Sequence, residues 1–502
     1  MEKSNDQSSQ TKDPVLTDEI DKNIDMIKSI FKDDQTLIIR QLENRLDSST
    51  KYCVVYIDGM VNNKLLNEDV IKPLLECRLR WKDRDLIDII AKQVMLSDDV
   101  QRTTDTETML QGIVYGDTVL LIDGYAEVLI LNTKGWASRS ISEPDSEKVL
   151  RGPREGFNEA IMMNLSLVRR KLRTPDLKME FQVFGTRTKT KGCICYLDGI
   201  VNKEVLKEFK KRLKKFTIDG TLDSNYIAEF IKDAPYSPIK TVGSTEKPDI
   251  VAAKLLEGRV ALFLDGTPVV LTAPCFFIEN FQSNEDYYLN FYFASINRML
   301  RLFAFFIATS LPALYVSLTT FHQEMLPTPL LMSISLARQG VPFPTALEAF
   351  LMLIVFEMLR ESGSRMPGSM GQALSIVGAL VIGQASVTAK IVSAPMVIII
   401  GFTGISGLMI PRIKGADVML RFIFLGLSTM LGLYGYMFGI LGFLIHLFNL
   451  SSFGVPIMTG TFANSLQDRK DIFVRAPWWF MKKRPKYLSP NKTRESTKGG
   501  TQ

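Results

Sequence analysis

The chain has 502 residues, 46% hydrophobic and 23% charged, with 60 Lys and Arg against 54 Asp and Glu for a formal charge of +6. That is too long for one ordinary core and too apolar for a disordered chain or a small disulfide scaffold. Two histidines, His322 and His446, and five cysteines without paired metal spacing leave too few parts for a multi-histidine centre, so neither a metal nor another cofactor is expected.

Residues 1–34 are polar and acidic with no apolar leader, which predicts a disordered N-terminus in the cytoplasm. The odd cysteine count reads as reduced, mostly buried thiols on the same side. Residues 35–150 read as one α/β subdomain. A strand at 51–57 ends in Asp58-Gly59 and leads into an amphipathic helix carrying Leu65, Val70, Ile71, Leu74 and Leu75, and a second apolar helix follows near 86–95. In GDTVLLIDGYAEVLIL, from Gly116, the Asp123-Gly124 pair predicts a hairpin closed by a two-residue I′ turn. Residues 151–175 form a basic linker, RGPREGF from Arg151, running into a helix at 158–173 whose end carries Arg169, Arg170, Lys171 and Arg173. Those cations suit a helix C-terminus, while Arg151 and Arg154 are candidates for an anion, lipid or partner contact.

Residues 176–296 repeat the first subdomain. CVVYIDGMVNNKLLNE from Cys53 and CICYLDGIVNKEVLKE from Cys193 share eight of sixteen positions, and GRVALFLDGTPVVLTA from Gly258 matches the first hairpin. The four Asp-Gly pairs are read as turns rather than metal ligands, because Gly after Asp is what turn geometry requires.

Residues 297–460 read as a transmembrane domain. The stretch 302–460 holds twelve charged residues in 159, against 102 in the other 343. Apolar blocks run over 302–318, 345–359, 373–388, 396–410 and 422–449, the last either one tilted helix or a broken pair, with Gly435 and Gly439 offering a close-packing face. Glu348, Glu357, Arg360 and Glu361 lie within or beside the second block and could line an ion path or form internal ion pairs. Gln384 and Thr388 share a face of the third block, as a pore lining or, by preference, a helix contact. Arg and Lys flanking the blocks predict both chain ends in the cytoplasm, which requires an even number of crossings. The tail, 461–502, has ten basic residues against three acids, and its Trp478-Trp479-Phe480 run suits a membrane surface.

The fold expected is thus an α/β tandem-repeat soluble N-terminal domain of two homologous subdomains plus an all-α polytopic membrane domain. No nucleotide-binding loop or nucleophile elbow appears, no enzyme is expected, and the soluble part is not basic enough to suggest nucleic acid.

One series of motifs carries a family resemblance: RGPREGF, EDYYLNFYFASINRMLRL from Glu285, LPALYVSLTTFHQEMLP from Leu311, FEMLRESGSRMP from Phe356, GQALSIVGALVIGQASV from Gly371, HLFNLSSFGVP from His446 and RAPWWFMKKRP from Arg475. In this order they resemble the A subunits of GerA-type spore germination receptors. The resemblance implies a multi-pass protein of the spore inner membrane that works with a polytopic B subunit and a lipoprotein C subunit. It further implies a homo-oligomer forming a nutrient-gated cation channel, with Glu348, Glu357, Arg360, Glu361, Gln384 and Thr388 as candidate pore or gating groups. A secondary transporter, a non-conducting scaffold and a paralogous amplifier of germination are the alternatives.

Overall fold

A computed structural model describes residues 15–44, 51–77, 86–97, 99–135, 147, 149, 151–365, 378, 381–459, 470–481, 483–485 and 487–489. The chain divides into two compact units. The first takes its described residues from 1–231, 242–274 and 484–494, the second from 232–241, 275–483 and 495–502.

The first unit holds two five-stranded antiparallel sheets of identical topology. In the first, β1 (Leu37–Glu43), β2 (Lys51–Ile57), β3 (Val100–Thr103), β4 (Thr118–Ile122) and β5 (Val128–Leu131) take the order β1-β2-β4-β5-β3. In the second, β6 (Leu177–Phe184), β7 (Thr190–Leu197), β8 (Gly243–Thr245), β9 (Val260–Leu264) and β10 (Val270–Ala273) take the order β6-β7-β9-β10-β8. The period-2 alternation of β2 splits its side chains between two cores. Cys53, Val55 and Ile57 join helices α1 (Ile20–Ile30) and α2 (Thr106–Tyr115) on one face. Tyr52 and Val54 join the helical stretches 63–76 and 86–94 on the other, so the central strands are apolar on both sides. The second sheet packs Cys193, Cys195 and Leu197 on α3 (Ile161–Lys171) and α6 (Pro248–Leu256), with α4 (Lys203–Leu213) and α5 (Ser224–Ile231) completing the copy. Burial pushes the Cys53 thiol up to about 12, and all five cysteines are free.

Two expectations are corrected here. The segment expected to be disordered contains α1, and the linker helix is α3; each is the first helix of its copy. Asn23 accepts from the Thr17 N–H at 2.9 Å and donates to its carbonyl at 2.6 Å, while Asn164 does the same with Asn158 at 2.8 and 2.5 Å. The repeat thus begins ahead of β1 in each copy. The hairpin turn is also not the two-residue I′ form. Leu121 pairs with Val128, the Tyr125 N–H donates to the Ile122 carbonyl, and positive φ falls on Gly124 rather than Asp123. That geometry needs a left-handed residue only at its third position. It leaves the Asp123 carboxylate to accept from the Ile20 N–H at 3.3 Å, capping α1, and Asp265 accepts from the Ile161 N–H of α3 at 3.2 Å. The Asp-Gly pairs are turns with a second task.

The second unit is helical: α7 (Phe291–Thr320), α8 (Thr328–Ala337), α9 (Thr345–Arg365), a helical stretch at 381–388, α10 (Ala394–Leu408) and α11 (Lys414–Asn449). Two stretches, Phe291–Thr320 and Pro411–Asn449, are long and apolar enough to cross a membrane. The segment between the first two apolar blocks contains α8. The last apolar block is the broken pair: Gly432 takes φ 63° and ψ −141°, which only glycine adopts freely. In an unbroken helix Gly435 would stand about 12 Å along the axis from Leu427, at ~1.5 Å per residue. Instead a Cβ on Gly435 would overlap the Leu427 carbonyl, and one on Gly439 would lie 2.9 Å from Phe424. Tyr436 sets its ring edge to face with Phe424 at 5.9 Å. The chain therefore reverses at Gly432, and the Gly435/Gly439 face packs α11 against itself.

Candidate functional site

Charged side chains inside apolar helices are costly unless paired, so the few in the second unit mark its chemistry. Four of them meet. Arg421, on the first arm of α11 and fully buried, donates to Glu357 of α9 at 2.9 Å, to Asp417 one turn back at 2.5 Å, and through Nε to the Ala308 carbonyl of α7 at 2.7 Å. Arg360 pairs with the other oxygen of Glu357. Helix α10 approaches through Gly407, whose absent Cβ would stand 3.5 Å from both Arg421 and Asp417. Two carboxylates and two guanidinium groups form a neutral set that ties three helices together beside a fourth.

The structure distributes the remaining predicted residues differently. Glu348 is fully buried near the start of α9, where it accepts from the backbone N–H and the hydroxyl of Ser393, the N-cap of α10, at 2.5 Å each. Its second oxygen lies 3.9 Å from Arg338, the C-cap of α8. Glu361 is apart from Glu357, exposed at the end of α9 and paired with Arg365 at 2.6 Å. Gln384 and Thr388 are exposed on one face of the 381–388 stretch, the Thr388 hydroxyl donating to the Gln384 carbonyl. The preceding residues 371–377, 379 and 380 of that motif lie outside the described residues. His446 hydrogen-bonds Ser237 at 2.8 Å.

Sequence reasoning assigned Arg421 only a flanking charge and overlooked Asp417. The available signal was an Asp-x-x-x-Arg spacing, one helical turn, opening an apolar run. It also overlooked Asp286, which is buried, holds both Arg298 at 3.0 Å and Arg301 at 2.9 Å at the base of α7, and shares Arg298 with Asp471 of the tail. Tyr287 donates to Asp471 at 2.7 Å, Arg475 lies over the Trp478 ring, and Trp478, Trp479 and Phe480 stay about half exposed.

In the first unit Arg151 and Arg154 are exposed, while Phe157 of the same motif is buried edge to face on Phe263. The cations closing α3 serve the fold. Arg169 is buried against Asp34 at 2.6 Å, Lys171 pairs with Glu155 at 2.8 Å, and Arg173 lies over the Tyr115 ring.

The family model described as the Bacillus/Clostridium GerA spore germination protein matches residues 25–487. Spore germination protein KA of Bacillus subtilis is 42% identical over 479 residues, 95% of this chain and 88% of that one. The uncharacterized membrane protein YfkQ of the same organism is 41% identical over 478 residues, 94% and 92% of the two chains. Among solved structures, the N-terminal domain of the A subunit of the Bacillus megaterium spore germinant receptor GerK3 matches at 32% identity and a TM-score of 0.40, over 53% of this chain and 98% of that one.

Proposed function

The chain belongs to the Bacillus/Clostridium GerA spore germination protein family, and from that premise we propose that it is the A subunit of a spore germinant receptor. It sits in the spore inner membrane with both ends cytoplasmic, assembles with copies of itself and with B and C subunits, and forms a nutrient-gated cation channel. Helices α7, α9 and α10, the block at 373–388 and the two arms of α11 would cross, an even number that agrees with the flanking charges.

One observation carries the channel reading. Glu348, Glu357, Arg360, Asp417 and Arg421 find partners within the chain, whereas Gln384 and Thr388 are exposed on a helix rich in apolar and small residues. A polar edge left outward on such a helix is suited to line a path between copies. The paired charges act instead as struts, whose two arrangements would bias closed against open when a partner binds.

The test is conductance of the full receptor in planar bilayers, opened by a defined mixture of amino acids and sugars. Gln384→Glu should raise cation over anion permeability and Gln384→Lys should lower it. Unchanged selectivity in both variants at normal conductance would remove the lining role. Saturable solute exchange without conductance would establish a transporter instead.

A further inference from the structure

The two copies of the first unit share a scaffold but present different surfaces. In the second copy Phe184, Phe216 and Phe230 stack in series, at 6.3 and 4.7 Å between ring centroids. On the same segments Leu222, Tyr226 and Phe230 are 70%, 44% and 52% exposed. Tyr226 and Phe230 are one turn apart on α5, which puts both rings on one side of that helix. Single exposed apolar residues are ordinary, but a contiguous aromatic set of this kind marks an interaction surface.

Its rim is basic. The turn of the β6–β7 hairpin, residues 185–189, carries Arg187 and Lys189 and no acid, and it is fastened beside the turn at 218–221 by the Thr186 and Arg187 N–H groups at 2.9 Å each. Lys214 and Lys215, also exposed, directly precede Phe216. The exposed acids on these segments, Asp219 and Glu229, are hydrogen-bonded to Thr186 and Asn225. In the first copy the helix in the position of α5, Leu86–Ile89 continuing to Val94, instead exposes Lys92 and Gln93.

We propose that this face of the second copy docks on the anionic headgroups of a bilayer, with the rings at the headgroup boundary and the four cations Arg187, Lys189, Lys214 and Lys215 on phosphate. Rings that are apolar in body beside flexible ammonium and guanidinium groups match an anionic lipid surface. A chain whose other half is embedded keeps such a surface within reach, so the inference rests on the membrane location proposed above.

The experiment uses the full chain in its native membranes, with p-benzoylphenylalanine installed in turn at Phe230, at Lys92 and at Phe402, an exposed residue of α10. After illumination, Phe230 should yield lipid adducts, Lys92 only background, and Phe402 lipid adducts from the embedded half. Combining Arg187→Ala, Lys189→Ala, Lys214→Ala and Lys215→Ala should lower the Phe230 lipid adduct about tenfold and leave that at Phe402 unchanged. All four side chains are exposed, and the Phe402 signal reports that the variant is inserted. Lipid adducts at Phe402 with background at Phe230, or a Phe230 adduct to protein rather than lipid, would overturn the proposal and leave the membrane location standing. Background at Phe402 would overturn the membrane location itself.

Discussion

Arg169 in the α/β unit and Arg421 in the helical unit are both fully buried, yet they are held by different amounts of counter-charge. Arg169 has one carboxylate, Asp34, with the Thr36 hydroxyl and the Leu177 carbonyl at 3.3 and 3.4 Å, and its Nε and Nη1 make no hydrogen bond. Arg421 uses all three nitrogens, on two carboxylates and a carbonyl. In the helical unit the buried guanidinium draws counter-charge from two helices, although Asp417 Oδ1 and Arg360 Nε of the same set make no hydrogen bond.

Removing the guanidinium is the hardest test of that contrast. Arg421→Met strands Asp417 among apolar helices, leaves Glu357 with Arg360 alone, and should cost about 3–5 kcal/mol, read as loss of the full-length protein from membranes on immunoblots. Adding Asp417→Asn, which leaves the Glu357–Arg360 pair intact, should restore part of its abundance; equal loss in the double variant would show that packing, not charge, was removed. Arg169→Leu strands only Asp34 and should cost about 3 kcal/mol in denaturant unfolding, with Asp34→Asn recovering some of it. Abundance lost equally in Arg169→Leu and Arg421→Met would erase the distinction between the units.

A smaller effect tests the equivalence of the copies. Asp123→Ala and Asp265→Ala each remove an acceptor at a helix start and should each cost about 1 kcal/mol of thermal stability, alike to within a few tenths. A large cost at one and none at the other would mean that only one hairpin caps its helix. The smallest effect is expected at Glu361→Gln, whose pair with Arg365 is solvent-exposed and should change stability by less than about 0.5 kcal/mol. A loss comparable to Arg421→Met would place Glu361 inside the network.

Much of this molecule was legible in its residues, for identifiable reasons. The strand at 51–57, the second copy at Cys193 and the amphipathic helices depend on period-2 and period-3.6 patterns that short stretches carry by themselves. Glu357 and Arg360 were visible as charges within and beside an apolar block. Helix α1 was hidden because its kinship with α3 lies in a few positions, chiefly Asn23 and Asn164, inside polar sequence that otherwise resembles a disordered start. The hairpin turn was misassigned because Asp-Gly serves several turn types, and the choice among them was made by the helix end that Asp123 caps.

By itself the amino-acid sequence determined the repeat and the separation of an α/β half from an apolar half, and it left the last apolar block as either one tilted helix or a broken pair. Only the tertiary structure decided that α11 does reverse at Gly432, that Glu361 stands apart from Glu357, and that Arg421 reaches Glu357 and Ala308, 64 and 113 residues away in sequence. The physical reason is range: periodicity and turn chemistry act within a few residues, whereas the partner of a buried charge is fixed by which helices pack together.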